Sequence, residues 1–409
     1  MNLYPFQKEG VDWLAKRAKV ILGDEMGLGK TVQIIGLINR CIGIEKVLVV
    51  CPASLKLNWE RELGKWLNRN LSIEVLSGSP KRGYKIESDI VIINYDILTR
   101  WESKLLAVDW DFLVFDEAHY LKNAKALRSK IALKLKANRE VYMSGTPMVN
   151  RPSELFNILN KIGLFDNRKA FDIKYCDARL VSKFGRRIWE NKGASNLDEL
   201  KQKLKPVMLR RLKKQVLTEL PDKIHQIIEL TDCKEVISGV VWYDGLPKHD
   251  SVTPEVRREA GEAKIKPSIK HIIDVLEEKD KLIVFAHHKT VIDGLSEGLE
   301  KFKPLTITGA TATSKRQSIV DKFQKNPIHR VIICNIQAAG VGLTLTAADT
   351  VVFVELDWVP GNLKQAEDRA HRIGQKRNVL IQYLVAPGVD ATIGTALATK
   401  VKNMEALGC

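Results

Sequence analysis

Paired cysteines are missing from this sequence: Cys41, Cys51, Cys176, Cys233, Cys334 and Cys409 are scattered with no C-x-x-C spacing. That excludes a small disulfide scaffold and predicts reduced, mostly buried thiols. Of eight histidines only His287 and His288 adjoin, with no cysteine or carboxylate at ligand spacing, so a zinc site is not expected. No stretch approaches the ~18 uninterrupted apolar residues of a membrane span. The opening Met1, Asn2, Leu3, Tyr4 and Pro5 lack the charged and apolar regions of a signal peptide. Repeats and low-complexity tracts are absent as well. A soluble, intracellular protein is the expectation, with no membrane partner.

What is present is bulk and positive charge. The 409 residues, 45% of them hydrophobic, suffice for two or three domains with sizeable cores. Lys and Arg number 65 against 49 Asp and Glu, a formal charge of +16, which points to a polyanionic partner. Charge alone does not separate nucleic acid from an anionic membrane surface.

Apolar runs alternate with segments of helical period, the signature of an α/β fold. Strand-like runs fall at 47–51, 90–93, 112–115 and 141–143, and again at 282–285, 331–334, 351–354 and 380–384. Two clusters of buried strands predict two parallel-sheet lobes. A helix is expected over 55–67 with Ser54 as its N-cap. On it Trp59 and Trp66, seven residues apart, share a face and read as core packing, whereas Trp358, before Val359, Pro360 and Gly361, is a candidate to line a nucleic-acid track. Between the clusters, over 152–267, strands nearly vanish and the sequence turns helical and basic. Lys201, Lys203, Lys205, Arg210, Arg211, Lys213 and Lys214 form either a solvated helix face or a nucleic-acid contact. The expected division is a first lobe over 1–165, a helical protrusion or linker over 166–225, a linker with a short insertion over 226–265, and a second lobe over 266–409.

Three motifs carry chemistry. Asp24, Glu25, Met26, Gly27, Leu28, Gly29, Lys30 and Thr31 follow a short apolar stretch and precede a helical segment. Glycines there let backbone N–H groups cradle phosphates at a helix N-terminus. Lys30 would neutralise the β and γ phosphates and Thr31 would ligate Mg²⁺, although Asp24 occupies the position where G-x-x-x-x-G-K-[ST] begins with glycine. Asp116 and Glu117 end the apolar run at 112–115, where an α/β sheet places catalytic groups. Asp116 suits Mg²⁺, and Glu117 suits polarising the attacking water. Third, if 365–375 is helical, Arg369 and Arg372 project from one face, placed to stabilise a transferring phosphoryl group.

Together with Ser144, Gly145, Thr146 and Pro147, these motifs occur in the order of superfamily 2 helicase-like motors. The chain resembles the Swi/Snf family of that superfamily over essentially its whole length. The likeness also rests on Leu3 to Gln7, Cys51 to Ser54 with Trp59, and Leu209 to Lys214 with Leu220 and Pro221. Phe285 to Lys289, Gly342 to Thr344 and Ala366 to Arg369 bring it nearest the annealing-helicase (HepA-related) subgroup. Ala339 and Thr344 stand where many other members have glycine and asparagine.

The resemblance implies an ATP site between two RecA-like lobes, with ATP and Mg²⁺ bound. Gln7 would recognise adenine, Asp24 to Thr31 would bind phosphate, and Asp116 and Glu117 would serve hydrolysis. Arg369 and Arg372 would act as arginine fingers. Ser144, Thr146, Gly340, Gly342 and Thr344 would couple nucleotide state to DNA. Ser54, Lys56, Lys289, Thr308 and Arg316 are candidate DNA contacts because they lie in or beside matched motifs. His287 and His288 are either DNA contacts or the lining of a strand end.

The expected function is ATP-driven translocation on double-stranded DNA that remodels branched DNA or protein–DNA complexes. Duplex or branched DNA would be held through phosphates by a monomeric motor. Two alternatives stand beside it: a strand-separating DNA or RNA helicase, for which no wedge hairpin is legible, and an ATP-gated nucleic-acid clamp without turnover. The chain starts almost at Gln7 and ends 34 residues past Gln375. It reads as a minimal motor of bacterial or viral type, or a piece of a larger protein; in a eukaryote the nucleus would be its compartment.

Overall fold

The run Val47–Cys51 is apolar and buried at every position, and Ile90–Asn94 is buried throughout and apolar up to its last residue. A strand of that kind needs cover on both faces, which parallel sheets flanked by helices provide. The computed structural model describes residues 2–147, 151–183, 186–217, 219–230, 233, 242–243, 246–247, 252–339 and 343–406. It divides into two units, Met1–Thr218 with Lys402–Cys409, and Glu219–Val401.

In the first unit the strands are β1 (Lys19–Leu22), β2 (Val47–Cys51), β3 (Ile73–Val75), β4 (Ile90–Asn94), β5 (Trp110–Phe115), β6 (Ala137–Met143), β7 (Arg179–Lys183), β8 (Arg186–Glu190) and β9 (Met208–Leu209). Seven of them form one parallel sheet in the order β3-β4-β2-β5-β6-β1-β9. The helices that matter for the site are α1 (Pro5–Ala15), α2 (Lys30–Arg40) and α3 (Lys56–Trp66). Because all strands run one way, the loops after β1, β5, β6 and β9 leave from one sheet edge.

The second unit holds β10 (Lys223–Glu229), β11 (Trp242–Tyr243), β12 (Leu246–Pro247), β13 (Leu282–Ala286), β14 (Leu305–Ile307), β15 (Val331–Asn335), β16 (Thr350–Phe353) and β17 (Val379–Val385). Its parallel sheet runs β10-β17-β16-β13-β15-β14, and β11 pairs with β12 alone.

The region over 152–267 departs from the sequence reading. It contains β7 to β12, two of which belong to the main sheets: β9 extends the first beside β1, and β10 extends the second beside β17. The expected segment 166–225 therefore cuts across the observed units, whose division falls between positions 218 and 219, whereas 226–265 lies within the second unit. Edge position explains why these strands are hard to read. β9 has two residues, and β10 is mostly exposed and carries polar side chains. A hairpin is also present, β7 pairing antiparallel with β8.

Two expected helical features change as well. Ser54 lies in a 3₁₀ turn (Ala53–Leu55), and α3 begins without a side-chain cap. The helix before the arginines is Pro360–Glu367, so Arg369 and Arg372 lie beyond its end.

Candidate active site

The loop after β1 turns sharply because Gly27 and Gly29 take positive φ, 86° and 71°. A Cβ on Gly29 would stand 2.5 Å from the Gln7 amide nitrogen. Only glycine allows α1 and the loop to approach this closely. Gln7 is buried; its amide donates to the Leu28 carbonyl at 3.2 Å and its oxygen accepts from the Tyr4 N–H at 3.1 Å. The expected adenine reader is thus tied to the expected phosphate loop.

Asp24, the departure from the glycine pattern, is fully buried and ion-paired with Arg211. Its Oδ1 accepts from the Arg211 side chain at 3.0 Å and the Arg211 N–H at 3.1 Å, and its Oδ2 accepts from Gln33 at 3.0 Å. Arg211 also donates to Gln33 at 2.8 Å and to the Phe6 carbonyl. Arg210 donates to the carbonyls of Gly23 and Gly145, and the Lys213 N–H donates to Glu25 at 2.7 Å. Part of the basic run is therefore neither a solvated face nor a nucleic-acid contact, but a brace behind the loop. Strand pairing of β9 with β1 brings it there. Gln33 and the bracing role of Arg211 were missed by sequence reasoning, since their partners are remote in sequence.

Lys30 opens α2 and donates to the Asp24 carbonyl at 2.8 Å. Burial lowers its ammonium below the usual lysine value, while Glu117, Asp24 and Asp116 push the other way. Thr31 follows it in the first turn of α2, half-buried.

Asp116 and Glu117 continue from β5 into the interior. Asp116 accepts from the Trp59 indole at 2.9 Å and from the Glu117 N–H at 2.9 Å, and Tyr95 donates to its carbonyl at 2.9 Å. Burial, then the neighbouring Glu117 charge, raise the Asp116 carboxyl to about 6, against the lowering effect of Trp59 and Lys30. Trp59 is core, as its helix face requires, and it also positions a carboxylate. Glu117 has a φ of 49°, a left-handed backbone that L side chains seldom adopt. It lies 3.2 Å from His119 Nδ1. The two adjoining buried carboxylates are hard oxygen donors of the kind that suit a divalent cation such as Mg²⁺.

Ser144 and Thr146 are buried after β6, and the Ser144 hydroxyl accepts from the Thr146 N–H at 3.2 Å. A Cβ on the intervening Gly145 would meet Met26 at 2.1 Å and the Lys30 ammonium at 3.3 Å. This segment therefore packs directly on the loop. Ser54 sits half-buried after β2, and the Lys56 ammonium is held by the Leu76 carbonyl at 2.8 Å.

In the second unit Arg369 is buried and donates to the Leu343 carbonyl at 3.4 Å. Arg372 donates to the same carbonyl at 3.0 Å and to the Thr344 hydroxyl at 2.8 Å. Although not helical, the two guanidiniums converge, and Thr344 joins them. Gly340 and Gly342 lie outside the described residues. Just before the arginines, Glu367 and Asp368 clamp Lys223 of β10 at 3.0 and 2.7 Å. Glu367 also accepts from Tyr383 at 2.5 Å and lies 3.3 Å from His225. Burial alone would raise Glu367, yet Lys223 and these partners hold it down to about 2.

The remaining candidates lie at or near the carboxyl edge of this sheet. Lys289 is exposed at the start of the helix Lys289–Gly298. The Thr308 N–H is held by Thr311 at 3.0 Å. Arg316 is spread over the carbonyls of Thr311, Thr308 and Ala338. His287 and His288 line the strand end around buried Glu355, to which both backbone N–H groups donate, at 2.7 and 2.9 Å. Trp358 packs partly buried against the core of this unit.

Residues 6–248 match the SNF2-related domain, and residues 266–374 match the helicase conserved C-terminal domain. The chain belongs to the SNF2-related family. This SNF2-related chain is 38% identical over 421 residues to the DNA annealing helicase and endonuclease ZRANB3 of Bos taurus, covering 96% of the chain and 39% of that protein. It is 36% identical over 434 residues to the SWI/SNF-related matrix-associated actin-dependent regulator of chromatin subfamily A-like protein 1 of Xenopus laevis, covering 100% of the chain and 44% of the relative. It thus spans less than half the length of these relatives. Among solved structures, the Sulfolobus solfataricus SWI2/SNF2 ATPase core in complex with dsDNA aligns with a TM-score of 0.50 at 24% identity, covering 100% of this chain and 97% of that one. That likeness is one of fold. Among the described residues no helix is long and apolar enough to cross a membrane.

Proposed function

We propose that this SNF2-related chain hydrolyses ATP in response to DNA, moves along duplex DNA, and remodels branched DNA or protein–DNA complexes. The observation that carries the reading is the Asp116–Glu117 pair, buried at the sheet edge from which the Gly27–Gly29 loop also leaves, with its charges acting on Lys30. The names of the relatives, a DNA annealing helicase among them, support DNA as the partner.

In this reading Gln7 recognises adenine, while the loop from Asp24 to Thr31 binds the phosphates and Lys30 neutralises their charge. Thr31 and Asp116 would hold Mg²⁺, which when bound supplies neutralisation of the phosphate oxygens. Glu117 orients the attacking water and accepts its proton. Arg369 and Arg372 stabilise charge on the transferring group. Ser144 and Thr146 flank Gly145, which packs on the loop, and Thr344 accepts from Arg372; these residues pass the nucleotide state onward, and Gly340 and Gly342 are assigned to the same coupling. DNA is held through its phosphates at Ser54, Lys56, Lys289, Thr308 and Arg316.

The test is steady-state ATP hydrolysis without nucleic acid, and with single-stranded DNA, blunt duplex, a model fork or single-stranded RNA, at one salt concentration. Strongest stimulation by duplex or fork supports translocation on double strands. Strongest stimulation by single strands or RNA replaces it with a strand-separating helicase, and background turnover throughout leaves a clamp. Lys30→Ala should abolish turnover while DNA binding persists.

A further inference from the structure

The hairpin β7–β8 has no place in the chemistry above, yet its composition is unusual. Between Arg179 and Lys192 stand five cations, Arg179, Lys183, Arg186, Arg187 and Lys192, against one anion, Glu190. Arg179 and Arg187 are exposed, and apolar side chains stand in the open with them: Leu180 is 60% exposed, Ile188 44% and Trp189 37%. Opposite residues of an antiparallel pair share a face. The register pairs Leu180 with Trp189 on one face and Val181 with Ile188 on the other.

The root of the ribbon is firmly held. Asn191 donates to buried Asp172 at 2.9 Å, Asp172 is also held by Arg168, and the Ser195 N–H donates to the Tyr175 carbonyl at 3.0 Å. A Cβ on Gly193 would stand 2.7 Å from Asp177, so the chain leaves the ribbon through a tight contact. A two-stranded ribbon with water on both faces has little stability of its own. Here a fixed base presents it.

A strand pair built to lie on a protein would gather its apolar residues on one face. This one carries apolar pairs on both faces and an exposed arginine on each strand, Arg179 and Arg187, which suits insertion between nucleic-acid strands. We propose that β7–β8 engages the junction of branched DNA, with Arg179 and Arg187 against the backbones and Trp189 stacked on the terminal base pair. Stacking of this kind tolerates any base. The inference rests on the DNA-driven ATPase reading above and adds to it the feature of the DNA that is recognised.

The experiment compares ATPase stimulation by a model fork and by blunt duplex in Trp189→Leu, Trp189→Phe and Arg187→Ala. Leucine at 189 keeps an apolar cross-strand partner for Leu180, so a loss there is not a loss of the hairpin. Expected is a five- to tenfold fall in the fork-to-duplex ratio for Trp189→Leu and Arg187→Ala, with the duplex-stimulated rate unchanged and Trp189→Phe within twofold of the parent. The proposal is overturned if the parent prefers neither DNA, if Trp189→Leu matches the parent, or if fork and duplex stimulation fall together. A parent that no nucleic acid stimulates sinks the ATPase reading itself, a different and recognisable outcome.

Discussion

Asp116 is held in a particular electrostatic state by its neighbours. Burial and Glu117 raise its carboxyl from 3.8 to about 6, and the Trp59 indole works against that rise. Trp59→Phe keeps an aromatic core residue but removes the donor, so the carboxyl should titrate higher still. The expected result is a kcat lower by about tenfold with KM for ATP little changed, and an acid limb of the pH–rate profile displaced to higher pH; an unmoved limb would rule this out. Losing a donor to a buried carboxylate should also cost about 1–3 kcal/mol of stability. The raised carboxyl has a consequence for folding too. A carboxyl whose folded value exceeds its unfolded one contributes stability that is present below about 4 and is lost as pH rises through about 6. Asp116→Asn escapes that loss, so the melting temperature of the variant minus that of the parent, measured without divalent cation, should increase from pH 4 to pH 7. A flat difference would show that the carboxyl is not raised. None of this was legible in the motif, because burial and the Trp59 contact belong to residues brought from 57 positions away.

At the scale of an element, the segment carrying Arg369 and Arg372 has no helix of its own and is placed by β10. Lys223 sits between Glu367 and Asp368, and His371 Nε2 lies 2.6 Å from the Pro221 carbonyl. Lys223→Met would leave two buried carboxylates facing each other, and turnover should fall with little change in DNA affinity, as fluorescence titration would read it. Glu367→Gln should cost about 3 kcal/mol at neutral pH, the lower end for a broken buried pair because Asp368 stays with Lys223. Glu367 is depressed from 4.5 to about 2, so its contribution is present above about 4.5 and lost as pH falls toward 2. The deficit of Glu367→Gln in denaturant titrations should therefore shrink over that interval. A helical placement of both arginines was the natural reading of 365–375, and the actual turn is set by Pro221 and Lys223, about 150 residues upstream. Likewise β10 was unreadable as a strand because an edge strand with most of its residues exposed carries no continuous apolar run.

For the whole molecule, the charge of +16 implies a large electrostatic share in binding. If about five phosphates are engaged, the logarithm of the binding constant should fall against the logarithm of salt with a slope near −4.5 for duplex DNA, at about −0.9 per phosphate. A slope near zero would contradict a phosphate track. The sequence by itself determined the α/β class and the two parallel sheets, which are written in uninterrupted apolar runs, and it carried the glycine loop, the acidic pair and the motifs on which the family resemblance rests. Tertiary structure decided what surrounds them. It turned Asp24 from a flaw in the pattern into the partner of Arg211, and Trp59 from core filler into a donor to Asp116. It also drew part of the basic run in behind the loop, and raised a hairpin where none was legible. The reason is physical: these roles depend on contacts between residues far apart in sequence, whose energy comes from burial and charge pairing that no local pattern encodes.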